Sequence, residues 1–132
     1  MLMVNDLMTT IPLVVQTTTR LTEARALMSL ESIRQMPVLE DGQLVGIVTE
    51  RDLCSADLRL IPFDISVDAI MTSDPFTVAP DTLAYKAAEM LRIYKIGALP
   101  VVSDGVLVGI VTVSDFLDRF TITDEARLAG AM

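Results

Sequence analysis

The sequence predicts a mixed α/β (α+β) fold made of two copies of one small unit, each running strand, helix, strand, strand, helix. Three observations carry that prediction. First, the stretch "LVGIVTERD" (Leu44 to Asp52) returns as "LVGIVTVSD" (Leu107 to Asp115), with seven of nine residues unchanged. The match holds at a single offset of 63 without a gap, from Val4 on Val67 and Met8 on Met71 through to Asp41-Gly42 on Asp104-Gly105. An internal repeat of this kind decides the architecture before any other feature. Second, each copy sets Asp-Gly between two apolar runs, a strong hairpin signal because both turn residues need positive φ. Third, apolar residues at helical spacing lie between the first strand and that hairpin in each copy.

Taken in order, Leu13 to Gln16 is a β-branched run bounded by Pro12 and threonines, and reads as a strand; Phe76 to Ala79 takes its place in the second copy. Thr19 and Thr82 stand where helix N-caps belong. Leu21, Ala24, Leu27 and Met28 line one helix face, as do Leu83, Ala87, Met90 and Leu91, over about four turns in each copy. Each helix is expected to stop ahead of "QMPVLE" or "ALPVVS", because a residue before proline resists helical geometry. The helix crosses between the first two strands, which makes them parallel, while the hairpin is antiparallel. "VGIV" is apolar without alternation and predicts a strand buried on both faces. A second helix follows each hairpin, as "ERDLCSADL" and "VSDFLDRF". The chain therefore divides into a first unit at 1–60, a linker at 61–66 containing the helix-breaking Pro62, a second unit at 67–122 and a tail at 123–132.

Composition bounds the function. A unit of roughly 60 residues buries too little surface to be secure alone, so the two lobes are expected to share a core. Hydrophobic residues make up 52% of the chain, and the mean hydropathy is +0.52. No apolar run reaches the ~18 residues of a membrane span, and the start "MLMVNDLMTT" lacks the pattern of a secretory signal. The surplus apolar surface points instead to a subunit contact, hence a homodimer. The net charge of -8, with no basic cluster, argues against nucleic acid. The chain has no histidine and one cysteine, Cys54, which reads as a small apolar core residue. His-dependent catalysis, His-ligated metals and intrachain disulfides are all excluded. These absences suit a cytoplasmic protein that is not an enzyme.

The repeated stretch ends in Thr49-Glu50-Arg51-Asp52 and Thr112-Val113-Ser114-Asp115. Two readings of this pattern stand side by side. As structure, a threonine opening a helix with a carboxylate three residues on is close to a capping box. As chemistry, a helix N-terminus offers unpaired amides and a positive dipole end to a phosphate. An aspartate one turn on can accept from two vicinal ribose hydroxyls, as the acidic residue of dinucleotide folds does.

The order "MT", "LPVV", "DG", "LVGIVT", "TxxD", present twice between about residues 4 and 120, resembles the CBS domain, named after cystathionine β-synthase. The chain reads as a stand-alone tandem CBS pair. The resemblance implies two pseudo-symmetric units packed through their sheets, with clefts that take adenosine compounds such as AMP, ADP, ATP or S-adenosylmethionine. It implies a non-catalytic regulatory or energy-sensing module, and a homodimer forming a flat disc of four CBS units, with no cofactor required. A structural dimerisation domain with empty clefts is the alternative. The ligand-facing roles carry over to Thr49 and Asp52, and to Thr112 and Asp115. The remaining wall of the first site would come from Thr9, Thr10, Ile11 and Pro12, with Arg34, Gln35, Met36 and Pro37. That of the second would come from Thr72, Ser73, Asp74, Pro75 and Phe76, with Gly97, Ala98, Leu99 and Pro100. Apolar side chains there could sandwich an adenine, or could equally be core. Arg34 and Arg51 favour phosphate in the first site, whereas the second has Gly97 and Ser114 at the matching positions and Asp74 nearby.

Overall fold

The computed structural model describes residues 1–58 and 64–121, with the backbone alone at 57 and 58. The tail expected at 123–132, and residues 61–63 of the expected linker with its Pro62, lie outside the described residues. In chain order the elements are β1 (Thr9–Thr10), β2 (Val15–Gln16), α1 (Leu21–Glu31), β3 (Gln35–Glu40), β4 (Gln43–Thr49), α2 (Glu50–Leu58), β5 (Thr72–Ser73), α3 (Ala84–Tyr94), β6 (Ala98–Ser103) and β7 (Val106–Thr112). A last helix, α4, covers residues 113–121. The repeat is thus carried into structure as the mixed α+β pattern anticipated.

The chain divides into two compact units. One is built mainly from residues 11–76; the other joins residues 1–10 to 77–104 and to 108–121 among the described residues. The first ten residues therefore belong with the second copy, and the segment ahead of the second copy belongs with the first. The 11–76 unit holds a four-stranded sheet in the order β2-β3-β4-β5, and the other unit a three-stranded sheet in the order β1-β7-β6. β2 runs parallel to β3, β3 antiparallel to β4, and β5 antiparallel to β4. β1 runs antiparallel to β7. The first strand of the second copy shrinks to one parallel bridge, Val78 to Val101. Both hairpin turns have the positive φ that Asp-Gly promises: 50° and 80° at Asp41-Gly42, 51° and 78° at Asp104-Gly105.

Both crossover helices have 11 residues, three turns and not four. Each ends on a left-handed residue, Ser32 or Lys95. The next residue then donates back into the helix, Ile33 N to Met28 O at 3.0 Å and Ile96 N to Leu91 O at 3.2 Å. Both isoleucines pack on a core, so a backbone turn with a hydrophobic clasp stops the helix before the proline is reached. The N-termini differ from expectation too. The N-cap positions are Arg20 and Leu83, without a side-chain cap. Thr19 and Thr82 instead accept from Gln16 N and Ala79 N, at 3.0 Å each, and close the turn before the helix.

For α1 the missing cap comes from far along the chain. Asp64 accepts from Thr22 N at 3.2 Å and from Thr22 Oγ1 at 2.8 Å. Asp64→Ala should cost about 1 kcal/mol in urea unfolding, the usual loss of a helix cap. An unchanged unfolding midpoint would mean that this exposed pair contributes nothing.

Burial forms two clusters, one in each unit. That of the 11–76 unit contains Leu21, Ala24, Met28, Met36, Val38, Val48, Leu53 and Val67. The other contains Val4, Val78, Ala87, Leu91, Leu99, Val101 and Val111. The two copies do not share one core as expected; each unit has its own cluster, completed by a segment taken from the other copy. Val67 completes the core of the first copy and Val4 that of the second, both with no exposure. Cys54 is exposed, not buried. Its place on α2 points away from the side where Leu53 and Ala56 pack inward.

Candidate functional site

In each copy the last hairpin strand runs straight into a helix at the threonine. Thr49 N donates to Asp52 Oδ2 at 2.9 Å, and Asp52 N donates to Thr49 Oγ1 at 3.1 Å. Thr112 and Asp115 repeat the pair at 2.8 and 3.2 Å. The capping box is therefore closed in both copies, and the folding role of the repeated stretch is real. It leaves room for a second role. The box uses one carboxylate oxygen of each aspartate, and a carboxylate has about four lone-pair sites. All four side chains are half-buried, within reach of solvent.

The segment before each hairpin is brought against this helix start. Glu50 N donates to Arg34 O at 2.7 Å, and Val113 N donates to Gly97 O at 3.0 Å. Gln35 stands directly opposite Thr49 in the β3–β4 register. The next residues turn inward: Met36 and Leu99 have no exposure, Ala98 has 7%, and Pro37 and Pro100 are fully buried. All five side chains pack in the interior of their units. The Arg34 side chain is 83% exposed and lies 3.8 Å from Glu50. A pair so long and so exposed holds little energy. Arg51 and Ser114 are exposed.

The leading segments are grouped differently from the sequence-based arrangement. In the β4–β5 register Thr72 faces Ile47 and Ser73 faces Gly46, so this segment borders the strand that ends at Thr49. Thr9 faces Ile110 and Thr10 faces Gly109, bordering the strand that ends at Thr112. Thr9 and Thr10 thus belong with Thr112, Ser114, Asp115 and Gly97 to Pro100, in one unit. Thr72, Ser73 and Phe76 belong with Arg34, Met36, Pro37, Thr49, Arg51 and Asp52, in the other, which also includes Ile11 and Pro12. Phe76 is 51% exposed.

Two features of these segments escaped the sequence reading. Gly46 and Gly109 sit mid-strand where glycine weakens a sheet, which is itself the signal of a close backbone approach. A Cβ on Gly46 would lie 2.9 Å from Thr72 O, and one on Gly109 would lie 2.8 Å from Thr9 O. The glycines are what lets the exchanged strands lie down. Second, Ile11 and Asp74, at matching positions before a proline, both have left-handed backbone, with φ of 50° and 48°. Aspartate tolerates that conformation, but a β-branched residue there is strained. Ile11 is also 92% exposed.

The regrouping moves a charge. Asp74 N donates to Val45 O at 3.2 Å, so Asp74 lies in the unit that contains Arg34 and Arg51. Among the described residues, no cluster of three or more metal-ligating side chains occurs. No described helix is long and apolar enough to cross a membrane.

The family model for the CBS domain matches the chain twice, at residues 4–59 and 67–121. Inosine-5'-monophosphate dehydrogenase of Korarchaeum cryptofilum is 42% identical over 108 residues, which covers 78% of this chain but 22% of that enzyme. The chain thus spans about a fifth of that curated relative. Among solved structures, the CBS domain pair of protein MJ0100, in complex with 5-methylthioadenosine and S-adenosyl-L-methionine, superposes with a TM-score of 0.85 at 28% identity. That match covers 92% of this chain and 97% of the other. CBSX2 of Arabidopsis thaliana, in complex with AMP, gives a TM-score of 0.83 at 29% identity over 94% of this chain and 99% of the other. With both copies of the repeat matched and the fold shared along nearly the whole length, the chain belongs to the CBS-domain family.

Proposed function

We propose that this chain is a non-catalytic regulatory module that binds adenosine-containing ligands, AMP, ADP, ATP or S-adenosylmethionine, at two sites, one on each Thr–Asp helix start. It acts as a cytoplasmic homodimer and needs no cofactor. The observation that carries the reading is the duplicated site itself. In both copies a half-buried threonine and aspartate open a helix, beside an exposed threonine-bearing edge strand. Related proteins of the same fold hold AMP or S-adenosyl-L-methionine. Each site takes the ligand's ribose on the aspartate and its phosphate, where present, near the helix amides. The likeness to inosine-5'-monophosphate dehydrogenase covers 22% of that enzyme and carries no part of this reading.

The two sites differ. Arg34 and Arg51 belong to the Asp52 site, with Glu50 and Asp74 reducing their effect. The Asp115 site has Gly97, Val113 and Ser114 in the matching places. The Asp52 site therefore takes the more phosphorylated ligand.

The closed capping boxes favour one rival, a dimerisation domain whose repeated stretch serves folding alone. Thermal unfolding and calorimetry with the four ligands separate the two. A ligand at 100 times its Kd stabilises the fold by about 2.7 kcal/mol. Asp52→Ala and Asp115→Ala should each lose one binding event, beyond about 1 kcal/mol of cap stability. The chain with Asp115→Ala should retain a preference for ATP over AMP. If no ligand at millimolar concentration moves the melting temperature, the binding proposal fails and the rival stands.

A further inference from the structure

Residues 1–10 and 64–73 form two matching straps. Each leaves its own copy and lies along the other, β1 on β7 and β5 on β4. Their backbone bonds correspond one to one across the offset of 63. Val4 N donates to Thr82 O at 2.8 Å, Asn5 N to Pro80 O at 2.9 Å, and Ala84 N to Leu2 O at 2.9 Å. Val67 N donates to Thr19 O at 2.8 Å, Asp68 N to Thr17 O at 3.3 Å, and Leu21 N to Ile65 O at 2.9 Å. Val4 and Val67 are both without exposure. One strap is therefore an internal control for the other.

The side chains break the likeness, each time in the same direction. Asp64 caps α1 through Thr22, and its carbonyl accepts from Arg20 Nη1 at 2.9 Å. The side chains at the matching places, Met1, Tyr85 and Leu83, offer neither a carboxylate nor a charged donor, and Met1 is 92% exposed. Ile65 packs on the core of its unit, while Leu2 is 37% exposed. Each strap runs on into a left-handed residue, Ile11 with φ of 50° or Asp74 with φ of 48°. Aspartate tolerates that backbone, and a β-branched residue is strained in it. Release of residues 1–10 frees Ile11 from the strain; release of the other strap gains nothing comparable. Segments held by fewer contacts open locally, below global unfolding, and ligand-binding elements are drawn from that low-stability end.

We propose that residues 1–10 are a releasable strap, and that a ligand at the Asp115 site holds it down. The inference rests on the binding proposed above and adds a moving part to it. Thr9 and Thr10 are exposed and stand beside the strand that ends at Thr112. Release of the strap takes both from the site, so the ligand favours the docked form. A ligand that binds one of two forms better shifts the population toward it, and the docked strap raises the ligand's affinity by the same factor. The Asp52 site has Thr72 and Ser73 in that place, on the strap that Asp64 secures. Occupancy of the Asp115 site is thereby converted into order in the first ten residues, and occupancy of the Asp52 site is not.

Hydrogen exchange on the full chain, read at single amides and corrected for intrinsic rates, tests both halves. Without ligand, the amides of Val4 and Asn5 should exchange about tenfold faster than those of Val67 and Asp68, a difference of roughly 1.4 kcal/mol in opening free energy. Ile11→Asp, the residue type that position 74 already carries, should slow Val4 and Asn5 and leave Val67 and Asp68 as they were. AMP at about 100 times its Kd should slow Val4 and Asn5 by about tenfold or more, toward the limit of about a hundredfold for a ligand confined to the docked form. In Asp115→Ala, compared with its own ligand-free state, that response should vanish. Equal exchange from the two straps without ligand overturns the proposal. So does unchanged exchange at Val4 and Asn5 when calorimetry shows AMP bound at a site that Asp115→Ala removes. If calorimetry shows no AMP bound at all, the binding proposal falls and the coupling with it, while faster ligand-free exchange at Val4 and Asn5 still supports release of the strap.

Discussion

Met36→Ala is expected to cost 2–5 kcal/mol in urea unfolding, the range for truncating a fully buried methionine to alanine. Domains of this size are stable by only about 5–15 kcal/mol, so the variant sits near the edge of folding. The expectation follows from Met36 having no exposure in the core of the 11–76 unit. Met36→Leu conserves volume and should cost under about 1.5 kcal/mol. That second variant carries the functional content. If Met36 offers a ligand its backbone alone, Met36→Leu should bind AMP or ATP within about twofold of the parent, well under the 1.4 kcal/mol of a tenfold change. A tenfold loss of affinity in a folded Met36→Leu chain would make the side chain part of the adenine pocket. Leu99, at the matching place in the second copy, obeys the same logic.

Gly46→Ala and Gly109→Ala should each cost about 1–3 kcal/mol, the usual range for overpacking. Part of each added contact is with a methionine sulfur, Met71 Sδ at 2.5 Å or Met8 Sδ at 2.9 Å, and a flexible side chain can swing away. The carbonyl oxygens of Thr72 and Thr9 cannot, because their strands are hydrogen-bonded in register. The substitution should therefore push the exchanged edge strand off its sheet. Hydrogen exchange gives the specific readout: amides near Thr72 should exchange faster in Gly46→Ala, and those near Thr9 in Gly109→Ala. Gly42→Ala is the control, since a Cβ there meets nothing within 4 Å and its cost lies in a φ of 80°. It should destabilise without singling out either edge strand. Equal exchange in all three variants would remove the close-approach argument.

Much of the site was legible because its determinants are local. A capping box needs four consecutive residues, and Thr49 to Asp52 and Thr112 to Asp115 formed it as written. The Asp-Gly turns needed two residues each and took the expected conformation. Arg34 and Gly97 came to the helix starts because a hairpin returns its second strand beside its first. Two of the misreadings have local causes. Thr19 and Thr82 have side chains able to bond backward or forward, and the turn before the helix took them. Cys54 is small and apolar by type, but helix phase, set by Leu53 and Ala56, turned it outward.

By itself the sequence determined the duplicated strand–helix–strand–strand–helix unit, the parallel and antiparallel pairings within each copy, and the residue types at each helix start. These depend on interactions between residues close in the chain or joined by a short turn. Only the tertiary structure decided which leading segment lies beside which Thr–Asp pair. The two copies are so alike that β1 and β5 each carry nearly the same residues, and β4 and β7 each offer a glycine to receive them. Pattern alone cannot distinguish pairing within a copy from pairing across copies. The exchange buries Val4 in one core and Val67 in the other, and gives each small unit apolar surface that its own copy does not supply.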